Sequence, residues 1–140
     1  MSRFVLDASV TMAWCFEDQG THFSESVLAA LKKEAIPVAP SIWMYEVLNV
    51  LALAQKKDLL DKTTATTFWN EVSKAVVLEN IDARAPHKIL DLCERHKLTA
   101  YDAAYLELAL REGMPLATLD KDLKKAAQAA GARLFTPATS

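Results

Sequence analysis

Four carboxylates stand where a charge is costly. Asp7 directly follows the apolar run Phe4-Val5-Leu6, and Asp120 directly follows Leu116-Ala117-Thr118-Leu119. Glu46 is the only acid between Glu34 and Asp58, and its neighbours Ile42-Trp43-Met44-Tyr45 and Val47-Leu48 are apolar. Asp102 opens a segment, Ala103-Ala104-Tyr105-Leu106, that is apolar nearly all round. Burying an acid is expensive unless something offsets its charge, and no His or Arg adjoins Glu46 or Asp102 in the chain. A hard divalent cation such as Mg²⁺ or Mn²⁺ would offset it, since such ions take oxygen ligands. Brought together, the four acids supply four negative charges, enough for one or two ions. That arrangement suits phosphodiester hydrolysis, in which a metal lowers the pKa of a bound water and steadies the leaving oxygen.

Each acid also has a plainer explanation. Asp7 and Asp120 lie between a strand and a helix, where Asp commonly serves as an N-cap. Asp102 lies three residues after Thr99, the spacing of a capping box, in a first turn that favours an anion. Glu46 could share a narrow polar stripe with Asn49, one turn on. Ser9 and Thr118 each lie two residues from a key acid. Their hydroxyls either orient metal-bound water or bond local backbone. No plain explanation accounts for all four acids at once.

The elements that must position these residues are short. Phe4-Val5-Leu6 reads as a strand buried on both faces, followed by a helix over Ala8–Phe16. A second helix covers Glu25–Glu34, and Pro37–Pro40 forms a small strand. Ser41 looks like the N-cap of a helix from Ile42 to about Lys57. Asp61, Lys62 and Thr63 open a helix running to about Ser73, and Ala75–Leu78 is a strand. Pro86 opens a helix to about His96. Thr99 precedes a helix over Ala100–Glu112, ended by Gly113 and Pro115. Leu116–Leu119 is a strand, Asp120–Ala130 a helix closed by Gly131, and Arg133–Phe135 a last strand. Such alternation predicts a mainly parallel sheet with helices on both faces. Sites in these sheets lie outside the carboxyl ends of the strands.

The chain of 140 residues carries 16 basic and 18 acidic side chains, is 51% hydrophobic and reads as one domain over residues 1–140. Its three glycines are too scattered for a Walker A loop or a G-x-G-x-x-G turn. Cys15 and Cys93 form no C-x-x-C pair and read as reduced core residues. The apolar N-terminal run meets Asp7 too early for a signal peptide, and no run is long enough to span a bilayer, so a cytoplasmic protein is expected. His22, His87 and His96 read as surface residues rather than zinc ligands. Trp14, Trp43 and Trp69 read as core or dimer contacts rather than base-stacking platforms. Setting the four candidate ligands aside leaves 14 acids against 16 bases, a mildly basic remainder compatible with a nucleic-acid partner.

At these residues the chain resembles the PIN-domain nucleases, in particular the VapC-type toxins of bacterial and archaeal toxin–antitoxin modules. The matching pieces are Val5-Leu6-Asp7-Ala8-Ser9, Glu46-Val47-Leu48-Asn49-Val50-Leu51, Leu98-Thr99-Ala100-Tyr101-Asp102-Ala103-Ala104-Tyr105 and Ala117-Thr118-Leu119-Asp120, and they span essentially the whole chain. The resemblance implies a PIN-like three-layer α/β/α sandwich and an acidic pocket for Mg²⁺ or Mn²⁺. It implies endoribonuclease activity on structured or translation-related RNA, often tRNA or rRNA, a homodimer, and inhibition by a small antitoxin protein. It assigns Asp7, Glu46, Asp102 and Asp120 as metal ligands and catalytic acids, with Asp122 the alternative for the fourth. Ser9 and Thr118 match its accessory hydroxyls, and Asn49 is a further candidate beside Glu46. Two rivals stand beside it. A phosphatase of the haloacid dehalogenase type wants a second acid two residues after Asp7, where Ser9 stands. A non-catalytic PIN-like module binding RNA or protein keeps the fold without using the acids.

Overall fold

The computed structural model describes residues 2–137. Its frame is a four-stranded parallel sheet: β1 (Arg3–Leu6), β2 (Ile36–Pro40), β3 (Val77–Glu79) and β4 (Leu116–Ala117), in the order β3-β2-β1-β4. Phe4, Val5 and Leu6 are all fully buried. This is what a continuously apolar strand requires when helices cover both faces of a sheet. The chain builds outward from β1 to β2 and β3 on one side, then places β4 on the other. The topology therefore reverses beside β1, and the crevice at such a switch point is where parallel sheets place their sites.

Seven helices flank the sheet in an α/β/α arrangement: α1 (Ala8–Cys15), α2 (His22–Lys32), α3 (Ile42–Lys56), α4 (Lys62–Ala75), α5 (Ala85–His96), α6 (Ala100–Glu112) and α7 (Lys121–Ala130). Several of their ends follow from single residues. Thr99 caps α6 by accepting the Asp102 N–H, and Asp61 caps α4 through the Thr64 N–H. Gly113 and Gly131 close α6 and α7 in the left-handed conformation, at φ 64° and 87°. The three tryptophans serve packing. Trp43 is 1% exposed, its indole N–H donates to Thr11 Oγ1, and its ring lies 5.7 Å from that of Trp69 on α4. Trp14 donates to the Ser24 carbonyl and so ties α1 to α2.

Some boundaries differ from the sequence reading. α2 begins at His22 rather than Glu25, because Thr21 and Ser24 form a reciprocal capping box. Ser41 does occupy the N-cap position of α3, but its backbone is already helical (φ −56°, ψ −25°) and its side chain makes no capping bond. α4 runs on through Ala75, so β3 starts only at Val77. β4 ends at Ala117, because Thr118 turns its hydroxyl into the site described below. The expected strand at Arg133–Phe135 is a single parallel bridge, Leu116 to Leu134, with Phe135 stacked on Phe4 at 4.1 Å. Cys15 and Cys93 are both free thiols.

Candidate active site

The carboxyl ends of β1 and β4 lie side by side, joined by the Asp7 N–H donating to the Ala117 carbonyl at 3.0 Å. Asp7 is only 5% exposed, yet it makes no side-chain cap on α1. Its Oδ2 accepts instead from the Ser9 hydroxyl at 2.6 Å and the Thr118 hydroxyl at 2.7 Å. Both hydroxyls also accept: Ser9 Oγ from the Leu119 N–H and Thr118 Oγ1 from the Asp120 N–H, each at 3.0 Å. These bonds knit the turn after β4 to the carboxylate after β1. The hydroxyl protons are directed at Asp7.

The other acids are held as specifically. Asp120 does cap its helix, Oδ1 accepting from the Leu123 N–H at 2.9 Å. Glu46, half-buried on α3, accepts at Oε1 a 2.6 Å bond from the hydroxyl of Tyr105 on α6. Asp102 occupies the first turn of α6, where its own N–H is bound by Thr99. In Asp7, Asp120 and Glu46 alike, one named oxygen carries the positioning bond, and the other oxygen lies outside it.

The acids sense one another. Burial pushes the Asp7 carboxyl up, against the lowering effect of the Ser9 and Thr118 bonds, and Asp120 adds to the rise. Burial also raises Glu46. The Tyr105 bond opposes that rise, and the charges of Asp7 and Asp102 reinforce it. Asp102 is pushed up to about 6, first by burial and then by Asp7 and Asp120, with Asp122 a smaller contributor. Tyr105 is itself driven upward by burial and by the Asp7 and Glu46 charges, which keeps its proton on the hydroxyl. Asp7, Glu46, Asp102 and Asp120 thus share one electrostatic neighbourhood. None of them joins an ion pair among the described residues.

This donor set fits a hard divalent cation. Every side-chain donor of the four acids is oxygen, and none of them is balanced by an ion pair among the described residues. Among the described residues, no three His, Cys, Asp or Glu side chains converge tightly enough to form a complete metal cage. Mg²⁺ usually keeps several waters and binds through one or two carboxylates and a substrate phosphate rather than an all-protein cage. Asn49 is exposed and, with Glu46, lines a cavity. Asp122 is exposed in the first turn of α7. His22 and His87 are exposed and His96 is partly buried. Tyr105 is the residue the sequence reading missed. Its signal was its place in the helix, three positions after Asp102 and so on the same face, but an aromatic in an apolar helix reads as core.

Residues 4–129 match the family described as the PIN domain. The chain belongs to the PIN domain family. Solved structures share the PIN fold across nearly the whole chain. One is VapBC2 from Rickettsia felis, bound to a DNA fragment from their promoter, with 14% identity, TM-score 0.71, and 95% of this chain covered against 97% of that one. A second is a toxin–antitoxin complex from Klebsiella pneumoniae, with 19% identity, TM-score 0.62, and 98% and 99% covered. A third is VapC20 of Mycobacterium tuberculosis, described as a sarcin-ricin loop cleaving toxin, with 15% identity, TM-score 0.65, and 96% and 99% covered. No curated protein matches the sequence. Within this PIN domain, no helix among the described residues is long and apolar enough to cross a membrane.

Proposed function

We propose that this PIN domain is a metal-dependent endoribonuclease that acts as the toxin of a toxin–antitoxin pair. The observation that supports the reading is that Asp7, Glu46, Asp102 and Asp120 raise one another's proton affinity and none of them pairs with a cation among the described residues, beside the carboxyl ends of β1 and β4. The toxin–antitoxin complexes among the similar folds support a small protein antitoxin as partner. The loop-cleaving description of VapC20 supports an RNA substrate, tRNA or rRNA among the candidates. A homodimer in the cytoplasm belongs to the same reading.

One or two Mg²⁺ or Mn²⁺ ions, when bound, neutralise phosphate charge and supply a water of lowered pKa. The protein's own part is to hold oxygens in place. Ser9 and Thr118 fix Asp7 through Oδ2. The Leu123 N–H fixes Asp120 through Oδ1. The Tyr105 hydroxyl fixes Glu46 through Oε1 and does not give up its proton. Asp7, Glu46 and Asp102 all hold a proton more tightly than free carboxyls, so a cation would displace protons from the site as it binds.

Titration calorimetry with Mn²⁺ tests the reading against a non-catalytic module that keeps only the fold. Binding is expected, weakening as pH falls through about 6 where Asp102 takes a proton. Absence of binding at millimolar Mn²⁺ and pH 8 would favour the module.

A further inference from the structure

Two tyrosines behave unlike every other aromatic of this fold. Tyr45 is 65% exposed and Tyr101 is 57% exposed, whereas Phe4, Trp43 and Tyr105 are buried. Each immediately precedes a candidate metal ligand, Tyr45 before Glu46 on α3 and Tyr101 before Asp102 on α6. The two helices bring them to a single cavity of about 490 Å³, lined by Ile42, Tyr45, Glu46, Asn49 and Tyr101. Glu46 therefore belongs to both places: its Oε1 is held by Tyr105 at the acidic site, and the residue also walls this cavity.

We propose that this cavity is a nucleobase subsite, in which Tyr45 and Tyr101 stack an unpaired base of the RNA strand whose phosphate lies at the carboxylates. The inference rests on the nuclease reading above and deepens it by naming the form of substrate. Continuity with the acidic site identifies the occupant. A strand with its phosphate beside Glu46 has an adjacent base within reach of the same cavity, and an exposed aromatic face accepts any base. Asn49 adds an amide with both donor and acceptor groups at the wall. A base inside a duplex is not available for such stacking, so recognition of single strands or loops follows.

The test uses the full chain carrying Asp7→Asn, a change expected to stop cleavage during the measurement, and a fluorescein-labelled RNA hairpin pool with a short randomised loop. A blunt duplex of the same stem is the control, with Mn²⁺ present and anisotropy as the readout. Tyr45→Ala and Tyr101→Ala are each expected to weaken loop binding roughly 5- to 150-fold, the factor that one stacked base contributes. Both should leave duplex binding unchanged, and Tyr→Phe at either position should retain loop binding. Both side chains are exposed, so folding is expected to persist, and a thermal melt confirms it. Ala variants that hold the loop as the parent does overturn the subsite. So do Ala variants that keep loop binding but turn a dimer into a monomer on size exclusion, which would assign the surface to a second copy. Cleavage of total RNA by the unsubstituted chain separates the two readings. If it cuts and the Tyr→Ala variants cut equally well, only the subsite fails. If it neither cuts RNA nor binds the hairpin pool, both fail.

Discussion

Replacing Asp102 by Asn should stabilise the metal-free protein. Asp102 sits at about 6 against an ordinary 3.8, raised first by burial and then by Asp7 and Asp120. At 1.36 kcal/mol per tenfold change, a fully buried group so placed would cost about 3 kcal/mol when ionised. Asp102 is only half-buried, and solvent screening reduces this to about 1–2 kcal/mol. The folded-state value lies above the unfolded one, so the folded protein binds the proton more tightly. Stability is highest below about pH 4 for this group and falls as pH rises through about 6. Asp7 and Glu46 are raised too and tilt the curve the same way. The assay is thermal melting in EDTA from pH 5 to pH 8. At pH 8, Asp102→Asn should melt roughly 3–8 °C above the parent, with a flatter dependence on pH. Adding Mn²⁺ should reverse the order, because the parent gains binding energy that the variant has lost. A variant no more stable than the parent in EDTA at pH 8 would show that the acids do not repel one another as described.

Two further substitutions probe how the acids are held. Tyr105→Phe removes the only side-chain hydrogen bond to Glu46 among the described residues and should weaken Mn²⁺ binding by roughly 10- to 100-fold, the usual effect of losing a partner that orients a ligand; calorimetry showing unchanged affinity would make Tyr105 a packing residue only. Thr118→Val removes the donor to Asp7 and the acceptor of the Asp120 N–H, and should cost about 1–3 kcal/mol in urea unfolding at pH 8. A loss well under that range would mean that water replaces the hydroxyl freely.

Glu46 and Asp102 stand out in the sequence because the cost of a charge among apolar neighbours is local, and each stands alone in such a stretch. The alternation of strands and helices was legible for a similar reason: Phe4-Val5-Leu6 carries its burial in its own composition. What failed was information held by distant partners. Asp7 and Asp120 look alike in sequence, each between a strand and a helix, yet only Asp120 caps its helix. Asp7 is diverted by Thr118, 111 positions away. Tyr105 gives no local sign that its hydroxyl meets Glu46, 59 positions distant. The ends of β4 and α2 shifted because the Thr118 hydroxyl and the Thr21–Ser24 box, rather than apolar patterning, decide them.

The most direct measurement is cleavage of total RNA by the purified chain, free of any antitoxin, with Mg²⁺ or Mn²⁺ and with EDTA. The account expects fragments that appear with metal, vanish in EDTA and are absent for Asp7→Asn, Glu46→Gln and Asp102→Asn. Fragments that persist in EDTA, or that Asp7→Asn produces as fast as the unsubstituted chain, would contradict it.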